Sequence, residues 1–246
     1  MLRLCEQTLK TFRKIFDFLG QSRFRKRSLI FLPGFLGCKE DWEEVRSYFV
    51  EQETVALDLP YEHVEEKLLE QMDPFTRDPL ILVGYSMGGR IALHLQHKYP
   101  QRFEKVIVIS AHPGIENAVD RLKRQAEDEV WIRKLETVPF EQVLTEWYNQ
   151  PLFSSLKERS EGFDKMMQRR QQTDPHQWAI LLRTWSVGRI PPLKKFSSKT
   201  VFLYGEKDEK YAELYRPLQA YAIAGAGHAA HLEEPRACAA AICSLL

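Results

Sequence analysis

Short runs of aliphatic and β-branched residues recur along the chain: SLIFL before Pro33, TVALDL before Pro60, LILVGY before Ser86, KVIVIS before Ala111, TVFLYG before Glu206 and AYAIAG before Ala226. They lack the strict apolar–polar alternation of a sheet with one wet face, so they read as strands covered on both sides, the pattern of a parallel sheet. Helical periodicity fills the intervals, as in GGRIALHLQHKYP, which ends at Pro100. The predicted class is α/β, with a mostly parallel central sheet flanked by helices.

Between Ser110 and Lys199 the strand signal stops and helical periodicity rich in Arg, Glu, Gln and Trp takes over, closed by IPPL at Ile190 to Leu193. A helical insertion between two core strands predicts a cap over about 113–195, lying across the strand ends. The first residues differ again. MLRLCEQTLKTFRKIFDFLG sets Leu2, Cys5, Leu9, Phe12, Phe16 and Leu19 at helical spacing, with Arg3, Lys10, Arg13 and Lys14 elsewhere, and RFRKRS follows. This is a basic amphipathic extension over 1–28, ahead of a domain over 29–246. Two readings of it stand open: a helix packed on the domain, and a weak contact with a membrane surface or a partner. It lacks the uninterrupted apolar core and small-residue cleavage site of a secretory signal.

Composition narrows the function. Lys plus Arg number 35 against 34 Asp plus Glu in 246 residues, which suits one domain with an insertion and argues against nucleic acid as the main partner. The four cysteines, Cys5, Cys38, Cys238 and Cys243, form no C-x-x-C pair and read as reduced thiols of a cytoplasmic protein. No apolar run approaches the ~18 residues of a membrane span, so stable membrane insertion is not expected. Monomer and homodimer remain equally open.

Gly84-Tyr85-Ser86-Met87-Gly88 fits G-x-S-x-G between a strand and a helix, the setting of a nucleophile elbow. The glycines permit the sharp turn that lifts the serine above the sheet, and the helix aims its N-terminal amides at the site. Such an elbow calls for an acid and then a histidine, each in a loop after a later strand. LYGEKD supplies Asp208 and IAGAGHAAHLEEP supplies His228, with Glu206 or Glu209 as rival acids and His231 as a rival base. The acid holds the imidazole in one tautomer and stabilises its charged form. His228 with His231, and His94 with His97, have i,i+3 spacing but no third ligand in a recognisable frame, so no metal is expected. An oxyanion hole takes one amide after the serine, that of Met87, and one after the first strand, read here as that of Phe35 in FLPGFLG. A plain strand-ending Pro-Gly turn is the bland alternative for that loop.

At these residues the chain resembles the 2-succinyl-6-hydroxy-2,4-cyclohexadiene-1-carboxylate (SHCHC) synthase family, MenH, of the α/β-hydrolase superfamily. GYSMGGR is similar to its serine motif, GFLG with Trp42 to its oxyanion loop, AHPGIENAVDRLKRQAEDEVWI and EWYNQPLFSSL to its cap, and YGEKDEKY and GAGHAAHLEEP to its acid and histidine loops. The resemblance runs from about Leu29 to the end. It implies a lyase without cofactor that eliminates pyruvate from a small polycarboxylate, using Ser86, Asp208 and His228 for proton abstraction. It further implies that Arg90, Arg124 and Arg170 hold carboxylates, with Arg169 a substitute for Arg170, that Tyr85 and Trp147 line the pocket, and that Lys210 contributes near the acid loop. Two positions depart from the family pattern: Pro33 stands where a histidine is usual, and Tyr61-Glu62-His63 where a Gly-His-Gly turn is usual. A serine esterase or thioesterase acting on a small carboxylate-bearing ester is the main alternative, because fold and triad do not fix reaction class. A non-catalytic binding protein is the third reading, and the intact Ser, Asp and His set argues against it.

Overall fold

The computed structural model describes residues 28–75, 79–158 and 160–246. Apart from Ser28, the amphipathic extension expected over 1–28 lies outside them. The strands are β1 (Ser28–Leu32), β2 (Glu53–Ala56), β3 (Leu80–Tyr85), β4 (Phe103–Ile109), β5 (Thr200–Gly205) and β6 (Ala220–Ile223). They pair in parallel in the order β2-β1-β3-β4-β5-β6. Every residue of β1 and of β3 is buried, as their unbroken apolar sequences require. Each strand falls within or across one of the apolar runs. β2 stops short at Ala56, because Asp58 turns to accept the Lys39 N–H at 2.8 Å and Pro60 has no N–H for a ladder.

The helices of seven residues or more are α1 (Val64–Met72), α2 (Met87–Lys98), α3 (Ala118–Thr137), α4 (Phe140–Tyr148), α5 (Ser160–Gln171), α6 (Pro175–Trp185), α7 (Glu209–Tyr215) and α8 (Pro235–Cys243). Helices α3 to α6 all fall between β4 and β5. Their starts are locally encoded. Asn117 accepts the N–H groups of Val119 and Asp120 at 2.8 and 3.1 Å to cap α3, and Asp174 caps α6 with Pro175 in its first turn. One cross-connection to the core is a buried ion pair: both carboxylate oxygens of Asp41 meet the guanidinium of Arg170 on α5.

Because β2 lies on one side of β1 and β3 on the other, a crevice opens at the carboxyl ends of β1 and β3, the point where sheet order reverses. Two turns meet there. Gly88 donates its N–H to the Pro33 carbonyl at 3.0 Å, joining the β3–α2 elbow to the loop after β1. The approach excludes side chains: a Cβ on Gly84 would sit 2.5 Å from the Gly88 carbonyl oxygen, and one on Gly88 would sit 2.6 Å from that of Leu32. Gly88→Ala is therefore expected to lower unfolding free energy by about 1–3 kcal/mol, the usual cost of overpacking. Gly162→Ala, at an α5 position with nothing within 4 Å of the added methyl, should raise it by about 0.4–1 kcal/mol. Urea unfolding of the two variants beside the parent checks both signs.

Candidate active site

Ser86 sits between β3 and α2 with φ +48° and ψ −110°, a backbone conformation that L-residues rarely adopt. It is held by its own N–H on the Ile109 carbonyl at 2.9 Å and by its carbonyl, which accepts the Arg90 N–H at 3.1 Å. Met87 is the first residue of α2, so its N–H lies outside the helical ladder, while that of Gly88 is taken by Pro33. Across the crevice, the Gly37 N–H closes a turn onto the Gly34 carbonyl at 3.0 Å, with Phe35 at its bend. The Phe35 ring is gripped edge-on by Trp147 of α4 and Trp178 of α6, with centroids at 4.9 and 5.7 Å.

Asp208 and His228 are brought together, His228 Nδ1 lying 2.7 Å from Asp208 Oδ2, with both residues buried. The other oxygen, Oδ1, accepts the Tyr211 N–H at the start of α7, so one carboxylate caps a helix and orients a ring. A carboxylate can only accept, so Nδ1 carries the proton and Nε2 is left as the acceptor. The rival acids are placed elsewhere: Glu206 accepts the Gly225 N–H at 2.8 Å, and Glu209 is exposed. His231 is also apart from Asp208. Its ring is stacked between Trp42 and Tyr85, each at 4.4 Å, and neither ring nitrogen has a partner. Burial, helped by Arg170 and His228, outweighs the opposing Asp41 carboxylate and pushes its pKa down to about 3, so it stays neutral. Among the described residues no group of three or more His, Cys, Asp or Glu could hold a metal ion.

Ser86 and His228 line one cavity of about 220 Å³, somewhat below the ~300–1,000 Å³ usual for ligand sites. Phe35, Tyr85, Trp147, Arg90, Arg124, Arg170 and Lys210 line it too, whereas Met87 and Asp208 do not. The arginines are in different states. Arg90 is buried on α2 and donates from Nε to the Trp185 carbonyl at 3.2 Å; burial, then the charge of Arg124, lower its pKa to about 10. Arg124 reaches Asp128 through Nε at 2.9 and 3.0 Å, and Asp128 is itself bonded by the Ser186 hydroxyl. Arg170 is committed: besides Asp41 it bonds the Tyr148 hydroxyl and Cys38 Sγ, both at 3.3 Å. Arg169 also reaches Asp41, at 3.1 Å, but lines a neighbouring cavity and not this one.

The matches to known proteins fit this geometry. Residues 29–241 match the alpha/beta hydrolase family. An Escherichia coli protein named 2-succinyl-6-hydroxy-2,4-cyclohexadiene-1-carboxylate synthase is 31% identical over 236 residues, covering 89% of this chain and 93% of its own. The chain belongs to that synthase family. The solved structure of MenH from S. aureus superposes with a TM-score of 0.83 at 25% identity, over 92% of this chain and 95% of that one. A thermophilic esterase from Thermogutta terrifontis, 20% identical with a TM-score of 0.70 over 89% of this chain and 88% of its own, shares the fold.

For an SHCHC synthase family member with proline before Gly34, the carbonyl that anchors the elbow is kept, since that bond to the Gly88 N–H needs only backbone. The Tyr61-Glu62-His63 stretch places His63 at φ +49° directly before α1. Sequence reasoning missed several residues of the site. His112, in the loop after β4, lines the cavity and accepts the Gly114 N–H on Nδ1 at 3.1 Å, which puts the proton of its neutral ring on Nε2. Burial, then Arg90, Lys210 and Arg124, hold its pKa down to about 4. The strand-end rule that found Asp208 and His228 would have flagged it. Trp131, edge-on to Trp147 at 4.9 Å, is seven residues after Arg124, two turns along the same helix face. Asp41 had no local signal, its partner Arg170 being 129 residues away.

An acid-sensitive fold is predicted, with His112 contributing and His231 the larger source. The unfolded chain takes up a proton near pH 6.5 that the folded His231 ring refuses until about pH 3, so stability is full above pH 6.5 and falls as pH drops through that window. His231→Phe, which keeps the aromatic stack, should flatten the slope of unfolding free energy against pH between 6.5 and 4 by up to about 1.4 kcal/mol per pH unit, the value of one proton. Urea titrations across that range measure it, and an unchanged slope would remove His231 as the cause.

Proposed function

We propose that this chain is an SHCHC synthase, a carbon–oxygen lyase of menaquinone biosynthesis that works without a cofactor. It would eliminate pyruvate from 2-succinyl-5-enolpyruvyl-6-hydroxy-3-cyclohexene-1-carboxylate to give 2-succinyl-6-hydroxy-2,4-cyclohexadiene-1-carboxylate. The observation that carries this reading is the sharing of one small cavity by Ser86 and the Asp208-oriented His228 with Arg90, Arg124 and Lys210. A hydrolase of neutral esters needs the first group and has no use for the second, and one acting on a carboxylate-bearing ester is separated from the lyase by the product released.

In this reading His228 Nε2 takes the Ser86 proton, and the alkoxide removes a proton from the ring. Negative charge develops on a dienolate oxygen held by the Met87 and Phe35 amides. The electron pair then expels the enolpyruvyl oxygen, the C–O bond breaks, and pyruvate leaves as its enolate, which takes up the proton held by His228 and so restores the neutral imidazole beside a protonated Ser86. Carboxylates of the substrate offset the mutual repulsion of Arg90 and Arg124, with Lys210 beside them. Tyr85 and Trp147 shape the walls, and Arg170, tied to Asp41, holds its part of the wall rigid. All these residues come from one chain, so either a monomer or a homodimer suffices. We assign the protein to the cytoplasm, where the free thiols Cys38, Cys238 and Cys243 stay reduced.

Purified protein should release pyruvate from the intermediate, read by coupling to lactate dehydrogenase. Ser86→Ala is expected to slow this by about 10²–10⁴-fold, the range for a lost general base. Turnover of p-nitrophenyl esters without pyruvate release would overturn the lyase in favour of an esterase. Arg124→Ala should raise KM for the polycarboxylate about tenfold or more, with a smaller change in kcat. A purely kcat effect would move Arg124 from binding to chemistry.

A further inference from the structure

We propose that Glu233 is a positioning residue for His228, holding the backbone on both sides of the imidazole so that the ring meets Ser86. The proposal rests on His228 acting as the base of the site. Glu233 follows the histidine by five residues at the end of a four-residue helix, Ala230–Glu233, and is itself buried. Its Oε2 accepts the Gly227 N–H at 2.6 Å and its Oε1 accepts the Ala229 N–H at 2.9 Å. The two donors are the residues immediately before and after His228.

Amides two residues apart can reach the two oxygens of one carboxylate only when both point to the same side of the chain. That condition restricts φ and ψ of the residue between them, and with them the direction of its Cα–Cβ bond. Asp208 fixes the ring about its own axis through Nδ1, while Glu233 fixes where the ring starts from. The bonds are charge-assisted and dry, the conditions under which a carboxylate–amide contact is strongest. The loop is pressed onto this carboxylate from the far side. A Cβ on Gly227 would lie 2.7 Å from Glu233 Oε2 and overlap the Ser155 hydroxyl, so backbone fills the whole gap. Phe153, two residues before Ser155, meets the His228 ring edge-on at 5.8 Å. The Lys207 N–H, on the Ala226 carbonyl at 2.8 Å, ties the acid loop to the same segment.

A helix cap is the competing account, since a side chain reaching back to the Ala229 N–H resembles a capping box. The bond to Gly227 separates the two. It lies outside the helix, on the other side of His228, and a cap has no need of it.

Glu233→Gln keeps the shape, removes the charge and sets an NH₂ group against one of the two amides. The expected result is a folded protein whose Ser86 reacts with a fluorophosphonate at least tenfold more slowly. Its kcat for pyruvate release should fall in step while KM stays within about twofold, and the low-field Nδ1–H proton resonance of His228 should broaden or vanish. Misplacement of a catalytic group by about 1 Å is worth up to about 10²-fold, so a tenfold threshold is conservative. A folded Glu233→Gln protein with parental labelling rate, kcat and low-field resonance overturns the proposal and leaves a helix cap. Should the variant not fold, amide exchange in the parent decides. Gly227 and Ala229 are expected to be protected at least 10²-fold, and exchange at free-peptide rates overturns the clamp. Parental protein whose Ser86 does not label at all would sink the base assignment and this proposal together. Labelling without pyruvate release would sink only the lyase reading, because the labelling arm tests the clamp without substrate.

Discussion

Backbone packed directly against backbone at the β3–α2 elbow is the constraint on which the site depends. Gly84 and Gly88 let the turn fold so tightly that Ser86 is held at positive φ, and Gly88 then bonds the loop after β1. From that contact follow the position of the α2 N-terminus, the proximity of the Met87 and Phe35 segments, and the opening of the cavity at the reversal point of the sheet. The strands supply rigidity for this, since β1, β3 and β4 form the buried centre of the sheet and none of them is an edge.

Above the elbow the problem is electrostatic. Two buried arginines face similar desolvation and resolve it in opposite ways. Arg170 gains Asp41, Tyr148 and Cys38, and the adjacent carboxylate drives its pKa well above the ordinary value. Arg90 has Arg124 beside it, and its pKa falls. A paired buried cation fastens segments together, whereas one crowded by like charge is an unmet demand for an anion. In the proposed reaction carboxylates would therefore be held chiefly by Arg90, with Arg124 and Lys210 beside it, while Arg170 also bolts α5 to the loop carrying Cys38 and Asp41.

How much of this was visible in the residues depended on whether the signal was local. The strands were legible because covering both faces leaves unbroken apolar runs, and the two that were overestimated in length, β2 and β6, are the edges of the sheet. Ser86, Asp208 and His228 were legible because a strand-ending turn marks each. Asp41 was not, because its meaning comes from a residue 129 positions away. Glu233 was not singled out either, because the facing of its carboxylate backward to the histidine loop is a matter of three-dimensional packing. His112 was overlooked among the cap residues although it follows β4 directly.

The grip of Trp147 and Trp178 on Phe35 has a consequence for timing. The loop bearing one proposed oxyanion donor belongs to the core, yet its side chain is lodged among helices that lie between β4 and β5. Were those helices to shift in admitting a substrate, the proposed donor would shift with them and return with them, so that enclosure and competence would be reached together.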